Sequence, residues 1–173
     1  MRKIIYILLL SFTSLMYSQD KNKNDYKILV DSAIVIYGNG YYKFYEKQLE
    51  KHISDYADKI NSENFKNNIT NIYLIDENGN PLFINNNYSK IKFKQMFVFD
   101  KKNRNIIRKE EFGIKTWKVI PKLEENRLNI KIVDCNLNYK DNEYFYKLDF
   151  ESPNTIITFE YSCSEKKWIR LLK

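Results

Sequence analysis

The one histidine, His52, stands beside Asp55, one helical turn on. A lone histidine at a helix edge reads as a solvated or packing residue. No serine or cysteine near it sits in a nucleophile motif, and a triad is defined by geometry rather than spacing. A histidine zinc site would need further nitrogen or sulphur ligands, and the chain has two cysteines. No CxxC, HExxH, Walker or dinucleotide fingerprint occurs, so no metal or cofactor is implied. Carboxylates are plentiful. A carboxylate-based hydrolase stays open if Asp134 or Glu160 converges with another acid in a pocket. Glu110-Glu111 and Glu124-Glu125 read as turn or edge charges, because adjacent strand residues point to opposite faces. Catalysis is the minority reading.

Charge supplies the best candidate for a binding face. From Lys90 to Lys122 the chain carries 11 basic and 3 acidic residues, a local excess of +8 against +7 for the whole chain. Lys90, Lys92 and Lys94 alternate, and Lys101, Lys102, Arg104, Arg108 and Lys109 follow. These eight would meet an anionic surface or an acidic protein. Nucleic acid is not expected, since no recognition motif accompanies the charge. The preferred account of the stripe is plainer: a solvated outer face whose edge lysines discourage sheet-to-sheet association.

Cys135 and Cys163 would form a disulfide in an oxidising compartment, but strand geometry disfavours the bridge. In a simple meander one strand separates them, placing them about 10 Å apart against a limit of ~7 Å. Two buried thiols are expected.

Five segments of the C-terminal third carry strand alternation: Ile114–Pro121, Leu128–Leu137, Glu143–Phe150, Thr155–Cys163 and Trp168–Leu172. In the third, Tyr144, Tyr146 and Leu148 share a face opposite Phe145 and Lys147. Short polar turns between them predict an antiparallel meander, because a parallel return needs a long crossover. Upstream, Tyr26, Leu29, Val30, Ala33 and Tyr37 fall at helical spacing behind Asp25. Gly38-Asn39-Gly40 predicts a break, and Tyr41–Ile60 a second, amphipathic helix. Ile69–Ile75 predicts a strand, turning at Asn78-Gly79 with positive φ at both residues and returning through Leu82–Ile84. Lys90–Phe99 predicts another strand, with Ile91, Phe93, Phe97 and Phe99 on one face, and Ile106–Phe112 continued pairing.

Met1–Ser18 has the form of a secretory signal peptide: Arg2 and Lys3, then an apolar Ile4–Leu10, with Ser18 before Gln19 as the cleavage point. The apolar run is too short for a spanning helix. Residues 19–173 then form a single exported domain of the periplasm, cell surface or extracellular space, with no membrane span after cleavage. Gly113-Ile-Lys-Thr-Trp-Lys-Val-Ile-Pro121, Asn126–Asp134 and Thr158–Cys163 with Lys167-Trp168 resemble small exported proteins of flavobacteria and other Bacteroidetes. The resemblance spans the C-terminal 60 residues or so; it implies a compartment and no activity.

The expected fold is α+β: two N-terminal helices packed on one face of a mostly antiparallel, six- or seven-stranded sheet that could curve. The expected function is an exported, non-catalytic binding or interaction domain. Its rivals are an immunity- or inhibitor-type protein that blocks a toxin or hydrolase, and the hydrolase above. N-terminal sequencing of chain exported with its leader is expected to read Gln-Asp-Lys-Asn-Lys from Gln19. A sequence starting at Met1 would mean an uncleaved anchor.

Overall fold

In the computed structural model, residues 25–48, 50, 71–84, 89–148 and 155–172 are described. The leader, His52 and most of the expected second helix lie outside them. Helix α1 runs through residues 25–48. Strands β1 (Ile72–Ile75) and β2 (Phe93–Lys94) precede a single 3₁₀ turn (Lys101–Asn103) and the short helix α2 (Arg104–Lys109). Then come β3 (Ile114–Glu124), β4 (Arg127–Lys140), β5 (Glu143–Leu148), β6 (Thr155–Ser162) and β7 (Lys167–Leu171). The fold is α+β, with one mixed seven-stranded sheet curled into a half-barrel.

The five C-terminal strands form close to where their alternation places them, but their order is not a meander. The sheet runs β2-β1-β3-β4-β6-β7, with β5 also on β4. Strand β4 is 14 residues long, which leaves room for two partners on one edge. Residues Arg127–Ile132 pair with β6, and Cys135–Lys140 pair with β5. On its other edge β3 pairs antiparallel along its whole length, from Ile114↔Leu137 to Glu124↔Arg127. Pro121, which has no N–H to give, lies past Lys118, the last residue of β3 paired to β1.

Strand β1 pairs parallel with both β2 and β3. The expected hairpin after Ile75 stops at the turn: Leu82 N–H reaches Leu74 O at 3.0 Å, and Ile75↔Pro81 is an isolated bridge. Asp76 holds that turn by accepting Asn78 N at 2.9 Å and Asn80 N at 2.8 Å. Only Gly79 of the Asn-Gly pair has positive φ. The left-handed pair sits instead at Asp141-Asn142, between β4 and β5. Of Lys90–Phe99 only Phe93–Lys94 is strand. Its four apolar residues do not share a buried face, since Ile91 is buried while Phe97 and Phe99 are exposed. The segment Ile106–Phe112 is not strand either. Asp100 caps the 3₁₀ turn by accepting Lys102 N at 3.0 Å, and α2 buries Ile107 while leaving Ile106 exposed, the one-sided burial of a surface helix.

The break expected at Gly38-Asn39-Gly40 is absent; α1 passes straight through. Two glycines inside a helix cost about 1 kcal/mol each, and tertiary contact gives one of them a use. A Cβ on Gly38 would meet Ser89, Ile91 and Phe93 at 3.5–3.7 Å, so the glycine lets the segment before β2 lie close. Asn39 Oδ1 accepts Lys90 N at 3.1 Å from the same segment.

The sheet has two covered faces. On one, Val30, Ala33, Ile34, Tyr37 and Tyr41 of α1 pack on Ile72, Leu74, Trp117, Val119, Leu128, Ile130, Ile132, Ile157 and Phe159. On the other, Val98 and Ile107 pack on Ile75, Ile114, Leu137 and Tyr139. Trp117 is fully buried. Its ring meets Tyr37 at 4.6 Å and Tyr41 at 5.1 Å edge-on, and Phe93 at 5.4 Å. Trp117→Ala is expected to lower the free energy of unfolding by about 3–5 kcal/mol, measured by urea denaturation. A loss under about 1 kcal/mol would show that Trp117 does not hold α1 to the sheet.

Candidate functional site

The eight basic residues do not gather on one face. Lys90 reaches α1, with Nζ 4.8 Å from the Tyr42 ring centre and 4.0 Å from Glu46. Lys92 is exposed. Lys94 lies over Tyr73, at 5.9 Å, on the opposite side of the sheet from Phe93. Lys101 and Lys102 are exposed in the 3₁₀ turn. Arg104 stacks over Tyr139 at 5.3 Å and Tyr144 at 6.0 Å, and Arg108 over Tyr139 at 5.5 Å. Lys94 and Lys109 do meet at one hollow beside Lys115, but Glu110 and Glu111 line it too. Half of the run, Lys90, Lys94, Arg104 and Arg108, thus lies over tyrosine rings at the surface, where a cation is attracted by the ring quadrupole.

The two carboxylates singled out as hydrolase candidates do not converge. Asp134 is buried on the α1 side of β4, its Oδ1 2.9 Å from Lys115 Nζ. Glu160 accepts Arg127 Nε at 3.1 Å and Asn126 Nδ2 at 3.3 Å. Because Glu160 pairs with Arg127, seven residues of β4, roughly 23 Å, separate the two acids. The Asp134 charge also helps push the Tyr41 phenol up, behind the larger effect of burial. Among the described residues no three His, Cys, Asp or Glu side chains are placed to hold a metal ion. No described helix is long and apolar enough to cross a membrane.

Both cysteines are free; Cys135 is buried and Cys163 exposed, so the expectation of two buried thiols fails for Cys163. The direct β4–β6 pairing puts Cys163 beyond the Arg127 end of β4, about eleven residues of strand or roughly 35 Å from Cys135. Cys135 donates to Thr116 O at 3.4 Å.

A cavity with an aromatic lining lies where nothing in the sequence pointed. It is a cleft of about 850 Å³ beside the Asp25 end of the described α1, lined by Asp25, Tyr26, Ile28, Leu29, Leu123, Glu125, Asn126, Tyr161, Lys166, Lys167 and Trp168. Three separate elements build it. Helix α1 presents Tyr26, Ile28 and Leu29, with Asp25 beside them. The β3–β4 turn contributes Glu125, at φ 53, and Asn126. That turn is tied to β6 by Tyr161 N–H donating to Asn126 O at 2.7 Å. The β6–β7 turn brings Lys166, at φ 52, and is braced by Glu165 N donating to Ser162 Oγ at 3.2 Å. Tyr161 and Trp168 are cross-strand partners with rings edge-on at 5.5 Å. Trp168 packs against the core with part of its surface open. Burial first, then the Glu77 carboxylate, hold the Tyr26 phenol above its ordinary value, so it stays a neutral donor and acceptor at physiological pH.

The rim residues Asp25 and Glu125 balance Lys166 and Lys167, and the floor is aromatic and aliphatic. Such a cleft falls in the size range of small-molecule sites, about 300–1,000 Å³. The one cue in sequence was a tyrosine at the head of α1 together with the aromatics of the last hairpin; nothing in their spacing brings them together. No protein-family model, curated protein or solved structure matches this chain.

Burial pushes the Cys135 thiol up to about 12, with Asp134 adding to it. The unfolded thiol ionises near its ordinary value of 9.0, so between these values only the unfolded state releases the proton. The stabilisation is whole below pH 9.0 and is lost as pH rises through about 12. A thiol reagent is expected to label one cysteine, Cys163, in the native protein at pH 8 to 9, and both in denaturant. Labelling of Cys135 at the rate of Cys163 would show that this face of β4 is open.

Proposed function

We propose that the protein is an exported, non-catalytic binding module whose ligand sits in the cleft between α1, the β3–β4 turn and the β6–β7 turn. The observation that carries the reading is the cleft itself: Tyr26, Tyr161 and Trp168 open to solvent beside polar groups of both signs. The space beneath the middle of α1 is filled by Trp117, Tyr37, Tyr41 and Phe93, so the cleft beside Asp25 is separate from the core. Chemistry is disfavoured by the placement of Asp134 and Glu160, each engaged by a cation and far from the other. An inhibitor-type role would call for one charged face; on the side where Lys94, Arg104 and Arg108 lie over tyrosines, the acids Glu110 and Glu111 stand among them. Export is supported by the Arg2-Lys3 and Ile4–Leu10 pattern, and the compartment is the periplasm, cell surface or extracellular space.

Ligand that binds only the native state raises the melting temperature by mass action. At a hundredfold excess over Kd the gain is about 2.7 kcal/mol, roughly 5–10 °C for a domain of this size. Screening a mixed panel of oligosaccharides, peptides and lipid headgroups is expected to give such a rise in the native protein and none in Trp168→Ala. The compound should be recovered unchanged by mass spectrometry. Product formation abolished by Asp134→Asn or Glu160→Gln would establish a hydrolase instead, and a panel that shifts both proteins equally would remove the cleft.

A further inference from the structure

We infer that the cleft takes a neutral saccharide, an inference that rests on the binding-module reading above. Three aromatic side chains, Tyr26 of α1, Tyr161 of β6 and Trp168 of β7, reach it from three separate elements. Aromatic faces suit the C–H surfaces of a sugar ring, which are apolar on one side and ringed by hydroxyls. The groups around them complete the match. Asp25 and Glu125 only accept hydrogen bonds at neutral pH, whereas the Lys166 ammonium only donates. An anion would be opposed by the two carboxylates and a cation by the lysines. A hydroxyl both donates and accepts, so one uncharged ring can satisfy both sides of the rim.

The site is built before ligand arrives. Glu125 and Lys166 are non-glycine residues held at positive φ, and the turns that carry them are fastened by the Tyr161–Asn126 and Glu165–Ser162 hydrogen bonds. The backbone that carries the rim groups is thus set in advance, which lowers the ordering cost of binding. Besides Asn126 and Lys167, the remaining lining is aliphatic, and Leu123 and Ile28 are both more than half exposed. A second sugar unit would cover them. The basic residues of α2 have no part in the cleft, so binding should not depend on polyanion character.

The test is a titration of the full mature chain with neutral hexasaccharides (β-glucan, xylan, mannan and chitin fragments), with oligogalacturonate and an acidic peptide alongside. The readout is tryptophan emission, in which Trp117 is a constant buried background. One neutral sugar is expected to give a saturable blue shift with the same Kd at low and high salt. Trp168→Ala should weaken binding about tenfold or more. Should that variant fail to fold, Glu125→Gln and Lys166→Ala, both on exposed turns, should each weaken it several-fold. Saturable binding of oligogalacturonate or the peptide alone, lost in Trp168→Ala, would overturn the neutral saccharide and keep the binding module. No emission change with any probe would overturn both. Shortening of the bound sugar would keep the saccharide and overturn the non-catalytic reading.

Discussion

The antiparallel pairing of β3 with β4 is the constraint on which the rest of the molecule depends. It holds register from Ile114↔Leu137 to Glu124↔Arg127, far longer than any other pairing in the sheet. Strict alternation over that length points Trp117, Val119, Ile130 and Ile132 to one side, and Ile114, Cys135, Leu137 and Tyr139 to the other. Each side then needs its own cover, because an apolar sheet face left in water is unstable. Helix α1 closes the first and α2 with the Val98 segment closes the second. Trp117 ties the first cover down, with two tyrosines of α1 and Phe93 of β2 on one indole.

The length of β4 also explains the sheet order. A strand of ordinary length would accept one neighbour per edge. This one accepts β5 and β6 end to end, leaving Val133 and Asp134 between their registers. Asp134 turns towards α1 at that junction and is met by Lys115. A buried charge is tolerable only when paired, and the lysine reaches it from β3 while its own ammonium lies near the Tyr41 ring. The same device recurs across the protein: lysine and arginine stems lie on tyrosine faces at Tyr42, Tyr73, Tyr139 and Tyr146. A chain rich in both residue types can place its positive charge on its own rings, which is why a basic run in sequence is not a basic face in space.

The elements that were legible share one property: their signal is local. Alternation at Leu128–Ile132 or Ile157–Phe159 reports a half-buried strand wherever that strand is placed, and Asp141-Asn142 marks a turn by its own backbone tolerance. Where the reading failed, a distant contact had changed the outcome. The glycines at 38 and 40 read as a helix end, yet the close approach of Ser89, Ile91 and Phe93 makes a small residue useful inside a continuous helix. The Ile106-Ile107 pair suits strand or helix equally, and the Asp100 cap with one-sided burial decides for helix. The cleft was not legible at all, since Tyr26 and Trp168 stand 142 positions apart and neither belongs to a motif.

By itself the sequence determined the class of the fold, the five C-terminal strands and the helical spacing after Asp25, because periodicity and turn chemistry act over a few residues. Tertiary structure alone decided strand order, the parallel edge of β1, the fate of each lysine and the existence of the cleft. These follow from which edge of β4 remained open and which ring lay within reach of each cation, and such choices are settled only when segments far apart in the chain compete for the same surface.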